Sequence, residues 1–236
     1  AKTEAPEFNA GAFSDTENHW AKATVENLVR RGIINGTSAT TFEPDASVTN
    51  AELATMFLNL LNKPLGNAGA NWYDAYVNGA ENAGLLSNTD IKNAPEKAAS
   101  RLTLAHVLYN TLNALGYAPK QTDNSRFAEL SALSGADKTA ADAVVSAALM
   151  IGSNGVLGLN DSMTRAEAVT VMERILKLSM PASVTEENGT YTLKNNRYSV
   201  SVTQNGDFSI TFDGKSYPFK AAGRVIYSET SPDLKQ

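Results

Sequence analysis

The sequence contains no cysteine and only two histidines among its 236 residues. Without cysteine, disulfide bonds and thiolate zinc sites are excluded. His19 and His106 lie far apart in the chain, and neither belongs to a metal-binding motif such as H-E-x-x-H. We therefore expect ordinary polar contacts for both histidines, and no metal or other cofactor.

Long apolar runs and an excess of positive charge are absent too. No stretch of about 18 apolar residues occurs, so we expect no transmembrane segment. Lysine and arginine total 20 against 25 aspartate and glutamate residues, a net charge of −5. This acidic balance argues against nucleic acid as a partner. The chain begins with Ala1 rather than Met, which fits either removal of an export signal or a trimmed start.

Signatures of catalysis are missing as well. The sequence has no G-x-S-x-G, no P-loop and no G-x-G-x-x-G motif. The glycine-rich stretch GSNGVLG at 152–158 lacks the lysine of a phosphate loop and is interpreted as an ordinary connecting loop. We therefore expect a protein that is not an enzyme.

What the sequence does contain is a motif that occurs three times: VTNAELA at 48–54, LTLAHVL at 102–108 and MTRAEAV at 163–169. Apolar residues follow each motif at helical spacing, and an earlier helical stretch precedes it, from Trp20 to Gly32, Trp72 to Gly84 and Ala140 to Gly152. The repeat predicts three helix-loop-helix units, at about 13–62, 71–117 and 126–178, packed around a shared core.

The motif itself predicts the start of each second helix. Thr49 with Glu52, and Thr164 with Glu167, form T-x-x-E capping boxes. In the second unit Thr103 is predicted to be the cap, which places Leu104 where the third unit has Arg165. The first unit has Asn50 at that position. The motif arginine is therefore predicted to occur once, in the third unit.

The chain changes character after Pro181, which is predicted to end the last helix. Alternating residues from about 184 to 230, with hairpin turns at Asn205-Gly206 and Asp213-Gly214, predict four or five antiparallel strands. The predicted core of this sheet is formed by Tyr191, Tyr198, Phe208 and Phe212. The fold class is thus α+β: three helix-loop-helix repeats within 13–180, then a small antiparallel β-meander at 184–230.

Residues 13–57 resemble a bacterial S-layer homology domain. The matching residues are Phe13, Asp15, Trp20, Ala21, Gly32, Ile33, Gly36, Phe42, Pro44, Thr49, Ala51 and Glu52. The third unit keeps Thr164-Arg165-Ala166-Glu167 but lacks F-x-P and has Glu129 in place of the aspartate; the second unit matches less. The resemblance implies a pseudo-threefold helical spindle. It also implies inter-unit grooves that bind pyruvylated secondary cell-wall polysaccharide, or peptidoglycan, and so anchor exported proteins to a bacterial wall.

By the same resemblance, Arg165 contacts the anionic sugar. Free N–H groups at the helix start beside its guanidinium would suit a carboxylate or phosphate. The candidate ligand-binding residues are Arg165, Glu167, Gly152, Asn154, Trp20, Asn50 and Trp72. For the two tryptophans, packing in the core or between units is favoured over stacking on a sugar.

The expected function is therefore a non-catalytic module that binds cell-wall polysaccharide or peptidoglycan at the outer surface of a bacterium. The alternative is a degenerate scaffold for surface-layer or protein–protein assembly that binds no glycan, since the motif arginine is predicted in one unit only. The β-meander is a possible site for protein partners under either hypothesis.

Overall fold

The computed structural model describes residues 13–179, 183–194, 198–212 and 215–219. The chain divides into two compact regions after Lys177. The helices are α1 (Lys22–Arg30), α2 (Asn50–Leu60), α3 (Asp74–Asn82), α4 (Arg101–Ala114), α5 (Gly135–Ser146) and α6 (Arg165–Ser179), with short 3-10 helices at Ser14–Thr16 and Ala128–Ala132. The predicted α+β class is confirmed. None of the helices in the described part of the chain is long and apolar enough to cross a membrane.

The starts of α2 and α6 confirm the predicted capping boxes. Thr49 accepts a hydrogen bond from the N–H of Glu52, whose side chain accepts from the N–H of Thr49 in return. Thr164 and Glu167 make the same reciprocal pair at 2.9 and 3.2 Å. Each box satisfies donors that would otherwise be orphaned at a buried helix end.

The predicted cap of α4 was wrong by three residues. Ser100, not Thr103, has the extended backbone of an N-cap, and its Oγ accepts from the N–H of Thr103 at 3.1 Å. Both residue types cap helices well, so their chemistry alone did not separate them. With Ser100 as the cap, Arg101 takes the position that Arg165 has in the third unit. The motif arginine therefore occurs twice.

Three extended segments, one before each second helix, meet in a closed ring. The N–H of Val48 donates to the carbonyl of Met163 at 3.1 Å, that of Met163 to Ala99 at 3.3 Å, and that of Ala99 to Val48 at 2.9 Å. All three side chains are fully buried. Because each segment bonds to both of the others, the three units surround one pseudo-threefold axis, as predicted.

The first two N–H groups of each second helix extend the same cycle. They donate to loop carbonyls of the following unit, and the third unit returns to the first. The pairs are Asn50 with Lys97, Ala51 with Pro95, Arg101 with Asp161, Leu102 with Leu159, Arg165 with Ala46 and Ala166 with Pro44. The core lies around this axis, where α2 packs on α3 and α4 packs on α5. Phe42, Phe57, Leu53, Leu104 and Leu108 are among its fully buried side chains.

The first helices of all units end at a residue with positive φ, the left-handed conformation that stops a helix. These residues are Gly32 at 68°, Gly84 at 74° and Ala148 at 55°. The predicted end of α5 at Gly152 was therefore wrong by four residues. Gly152 instead corresponds to Gly36, deeper in the loop. The end of α5 was predicted wrongly because alanine rarely takes the left-handed conformation.

The second region is an antiparallel sheet with strands in sequential order: β1 (Ser183–Glu187), β2 (Thr190–Lys194), β3 (Tyr198–Thr203), β4 (Phe208–Phe212) and β5 (Lys215–Phe219). The turn at Asn205-Gly206 is confirmed, with Gly206 at φ 81°. Pro181 and the turn Asp213-Gly214 lie outside the described residues. Tyr191 is 42% exposed, so its predicted role in the sheet core was wrong. Phe208 is partly buried, and the side chains of Tyr198 and Phe212 lie outside the description.

Candidate functional site

Arg165 begins α6 but its side chain extends into the first unit. The guanidinium donates to the carbonyl of Phe42 from Nε at 2.9 Å, to the carboxylate of Glu52 from Nη1 at 3.1 Å, and to the carbonyl of Asn35 from Nη2 at 3.2 Å. It also lies 4.7 Å above the centre of the Phe42 ring. Only 7% of the residue is exposed. Burial lowers the pKa of Arg165, and the carboxylates of Glu52, Glu43 and Asp15 oppose this effect.

This arginine forms the floor of a cavity of about 220 Å³, here called the Arg165 groove. One wall is the loop 33–37 of the first unit, and the other comes from α2 and the start of α3. Its lining includes Asn35, Gly36, Glu52, Thr55, Met56, Asn59, Trp72, Tyr76 and Arg165. Trp72 is 63% exposed on the outer wall. The groove therefore combines residues of all three units.

Arg101 begins α4, and its side chain extends into the third unit in a similar way. Its Nε donates to the carbonyl of Leu157 at 2.7 Å and its Nη1 to Glu167 at 3.0 Å. The cavity above it, the Arg101 groove, has a volume of about 500 Å³. Its lining includes Trp20, Arg101, Ile151, Gly152, Ser153, Val156, Asp161, Glu167, Thr170, Val171 and Arg174. Trp20 is 65% exposed there.

The two grooves match position by position. Trp72 corresponds to Trp20, Glu52 to Glu167, Gly36 to Gly152, Thr55 to Thr170, and Asn59 to Arg174. In each groove the arginine comes from the preceding unit and the tryptophan from the following unit. Both tryptophans were expected to pack in the core or between units. They lie between units, but packing in the core was wrong, because the cyclic order of the units leaves their rings exposed on groove walls.

Sequence reasoning missed Arg101 and Arg174. The signal for Arg101 was S-R-L-T at 100–103, which fits the T-R-A-E motif once serine is accepted as the cap. Arg174 lies on α6 below the groove and donates to the carbonyl of Leu149 at 2.7 Å. Burial, and then the charge of Arg101, lower the pKa of Arg174.

A carboxylate holds the loop of each groove. Asp15 accepts from the N–H groups of Phe42 and Glu43 at 3.0 and 2.7 Å. Glu129 accepts from the N–H groups of Leu157, Gly158 and Leu159. Burial acts to raise the pKa of Asp15, but the N–H donors outweigh it and hold the pKa below its usual value. Glu129 thus holds the loop of the third unit as Asp15 holds the loop of the first unit.

At the third interface, neither the arginine nor the threonine of the two grooves is present. Asn50 stands at the arginine position, and its Nδ2 donates to the carbonyl of Ala94 at 2.9 Å, while its buried Oδ1 has no hydrogen-bond partner within the described chain. His106 occupies the place of the groove threonines Thr55 and Thr170. It is buried, and its Nε2 lies 2.7 Å from Oδ1 of Asp137 on α5. A polar pair therefore crosses the space between α4 and α5.

Two further predictions concern the N–H groups at the start of α6 and the contacts of His19. The N–H groups of Arg165, Ala166 and Glu167 all have partners inside the protein, so the predicted free N–H groups for an anion do not exist. The other histidine, His19, makes polar contacts with Asp45 and the N–H of Ala21, as expected. In the described part of the chain no three His, Asp or Glu side chains cluster as metal ligands do.

The predicted ligand-binding residues thus separate into different places. Arg165 and Trp72 line one groove, while Trp20, Gly152 and Glu167 line the other. Asn154 lies in the exposed turn next to the Arg101 groove, at φ 50°. Asn50 lies at the third interface. The candidate site is therefore a pair of similar grooves rather than one groove around Arg165.

Residues 12–54 match the family model of the S-layer homology domain. The chain is 26% identical over 159 residues to S-layer protein sap of Bacillus anthracis, covering 64% of this chain and 19% of that protein. It is 29% identical over 185 residues to amylopullulanase of Thermoanaerobacterium thermosulfurigenes, covering 71% and 10%.

A shorter match, 38% identical over 90 residues, is to endo-1,4-beta-xylanase A of Thermoanaerobacterium saccharolyticum, covering 35% of this chain and 8% of that protein. The chain therefore spans at most about a fifth of the length of these relatives. What it shares with surface-layer proteins and with enzymes is one limited region.

Proposed function

This chain belongs to the proteins that carry S-layer homology domains, and we propose that it anchors an exported bacterial protein to the cell wall. The ligand is secondary cell-wall polysaccharide, whose anionic form carries pyruvyl groups. The binding surfaces are the Arg165 and Arg101 grooves. The attached protein is held at the outer face of the wall, and the chain itself catalyses no reaction.

One observation carries this proposal: two similar grooves each present an exposed tryptophan together with an arginine–glutamate ion pair. Tryptophan is enriched at binding surfaces, where its large ring supplies contact area. A tryptophan face stacks well on a sugar ring, and the polar floor offers carbonyl, carboxylate and guanidinium groups for its hydroxyls. Groups of this kind suit a glycan.

The test is co-sedimentation of the full chain with purified cell walls, before and after acid extraction of the wall polysaccharide. We expect binding that is lost with the polysaccharide. Trp20→Ala and Trp72→Ala should each weaken binding roughly tenfold, as for an exposed aromatic anchor. Both variants should unfold at the wild-type urea concentration, since the rings are exposed. Wall binding that survives in the double variant would reject the grooves as the site.

The third interface supports a second candidate, a scaffold for protein assembly. There Asn50 replaces the groove arginine, and a His106–Asp137 pair replaces the groove threonine. If the chain fails to sediment with walls yet forms a defined complex with a surface protein in native mass spectrometry, the scaffold replaces the anchor.

A further inference from the structure

The two grooves are lined by corresponding residues but differ at one position on the second helix of the unit. The Arg165 groove has the neutral Asn59 on α2, whereas the Arg101 groove has Arg174 at the corresponding place on α6. A second difference lies in the loop, where Glu43 of the first unit corresponds to Gly158 of the third. The first groove therefore has one fewer guanidinium, while the carboxylate of Glu43 near it is matched by that of Asp161 on the lining of the Arg101 groove.

The guanidinium of Arg165 is held by the protein through each of its three nitrogens. All three of its nitrogens donate to protein oxygens, and Glu52 balances its charge at 3.1 Å. The carboxylates of Glu43 and Asp15 act on it as well. An anion that entered this groove would meet a guanidinium whose charge Glu52 already balances, and no second guanidinium among the described lining residues.

The Arg101 groove is different because it contains two guanidiniums and only one of them is neutralised. Glu167 pairs with Arg101 at 3.0 Å. Arg174 has no ion-pair partner in the described structure, and its one hydrogen bond there goes to a neutral carbonyl. Asp161 also lines the groove, but its side chain is exposed at the rim, where water screens its charge.

From this difference we infer that the two grooves take different sugars: the Arg101 groove binds the anionic substituent of a wall glycan through Arg174, and the Arg165 groove binds a neutral sugar residue. The substituent is a carboxylate or phosphate, both of which accept paired hydrogen bonds from a planar guanidinium. Partial burial strengthens such a contact relative to one in water. This inference rests on the proposed wall-binding function.

The two tryptophans make the inference testable groove by groove. The chain contains only two, Trp20 and Trp72, and each lies on one groove wall. Trp72→Phe leaves Trp20 as the only indole and reports on the Arg101 groove. Trp20→Phe does the same for the Arg165 groove. Fluorescence titration of these variants with pyruvylated wall disaccharide, its phosphorylated form and the unsubstituted disaccharide separates the sites and the sources of charge.

We expect the Trp20 signal to respond to a charged disaccharide at about tenfold lower concentration than to the neutral one, and the Trp72 signal to show no such preference. Arg174→Asn, which copies the other groove, should abolish the preference, and Arg174→Lys should keep part of it. The reciprocal Asn59→Arg should create a preference in the Arg165 groove. Added salt should reduce each preference.

An unchanged preference in Arg174→Asn, or a preference for charge seen at Trp72 in the wild-type groove, would overturn this inference while wall binding stands. Equal binding of all three disaccharides at both sites would do the same. Absence of any response at either tryptophan, together with failure to sediment with walls, would overturn the proposed function and this inference with it.

Discussion

Arg165 lies with its guanidinium 4.7 Å above the ring of Phe42 and donates from Nε to the carbonyl of the same residue at 2.9 Å. Phe42 is fully buried, although it belongs to a loop near the start of the chain. One side chain at the start of α6 therefore holds the floor of a groove that belongs to the first unit. Arg165 acts first as a structural connection between distant parts of the sequence.

Arg165→Ala is expected to lower the free energy of unfolding by about 3 kcal/mol, near the lower end for removing one partner of a buried ion pair. The loss follows because Glu52 and the loop carbonyls of Phe42 and Asn35 lose their shared donor. Urea unfolding of the full chain measures it. Arg165→Lys is a sharp control, because one ammonium cannot reach all three acceptors and should restore only part of the loss. Wild-type stability in both variants would contradict the structural role.

Gly152→Ala is expected to destabilise the protein more than Gly84→Ala. Both glycines have positive φ, which costs an alanine about 1–2 kcal/mol. At Gly152 a Cβ would also lie 2.5 Å from the carbonyl oxygen of Val156 and 2.7 Å from the Phe127 ring, whereas at Gly84 it would meet nothing within 4 Å. Thermal unfolding of both variants gives the comparison. Equal losses would mean that the loop moves to accept the methyl group.

Ala148→Gly is expected to stabilise the protein by up to about 1 kcal/mol. Ala148 ends α5 at φ 55°, where the other two units have glycine, and its side chain is exposed. Glycine relieves the left-handed strain, and its greater freedom in the unfolded chain offsets part of the gain. Chemical denaturation measures the change. A loss of stability would show that the alanine methyl group contributes packing that its exposure conceals.

Asp15→Asn is expected to reduce stability most at neutral pH and least in acid. The folded-state pKa of Asp15 lies below its unfolded value, so its ionised form stabilises the fold. That contribution is present above the unfolded pKa of about 3.9 and is lost as pH falls through the folded pKa. Unfolding midpoints between about pH 2 and pH 7 should therefore converge for the two proteins below about pH 4. A gap that stays constant with pH would show that the loop does not depend on the charge.

Local signals in the sequence predicted the second helices well where two of them agreed. In α2 and α6 a T-x-x-E box stands directly before residues at helical spacing, and both helices begin as expected. In α4 the spacing was clear, but Ser100 and Thr103 were both plausible caps. That choice of cap hid Arg101 and led to the prediction of one motif arginine instead of two.

The grooves themselves could not be predicted from local signals. Trp20 lies far from Arg101 and Arg174 in sequence, and they line one cavity only because the units close into a ring. The exposure of both tryptophans follows from the same closure. The resemblance of 13–57 to a known domain predicted that grooves exist, but which residues share a groove depends on contacts between units.

The hydrogen-bonded ring of Val48, Ala99 and Met163 has a consequence for how the protein forms. Its bonds join residues far apart in sequence, so the ring closes only after the segment before α6 has left the ribosome. Until then the first unit has neither its carbonyl partner at Met163 nor the side chain of Arg165. The first unit is therefore complete only once the chain has been made as far as α6. A chain cut before Met163 would lack one of the three segments of the ring and the arginine of the Arg165 groove.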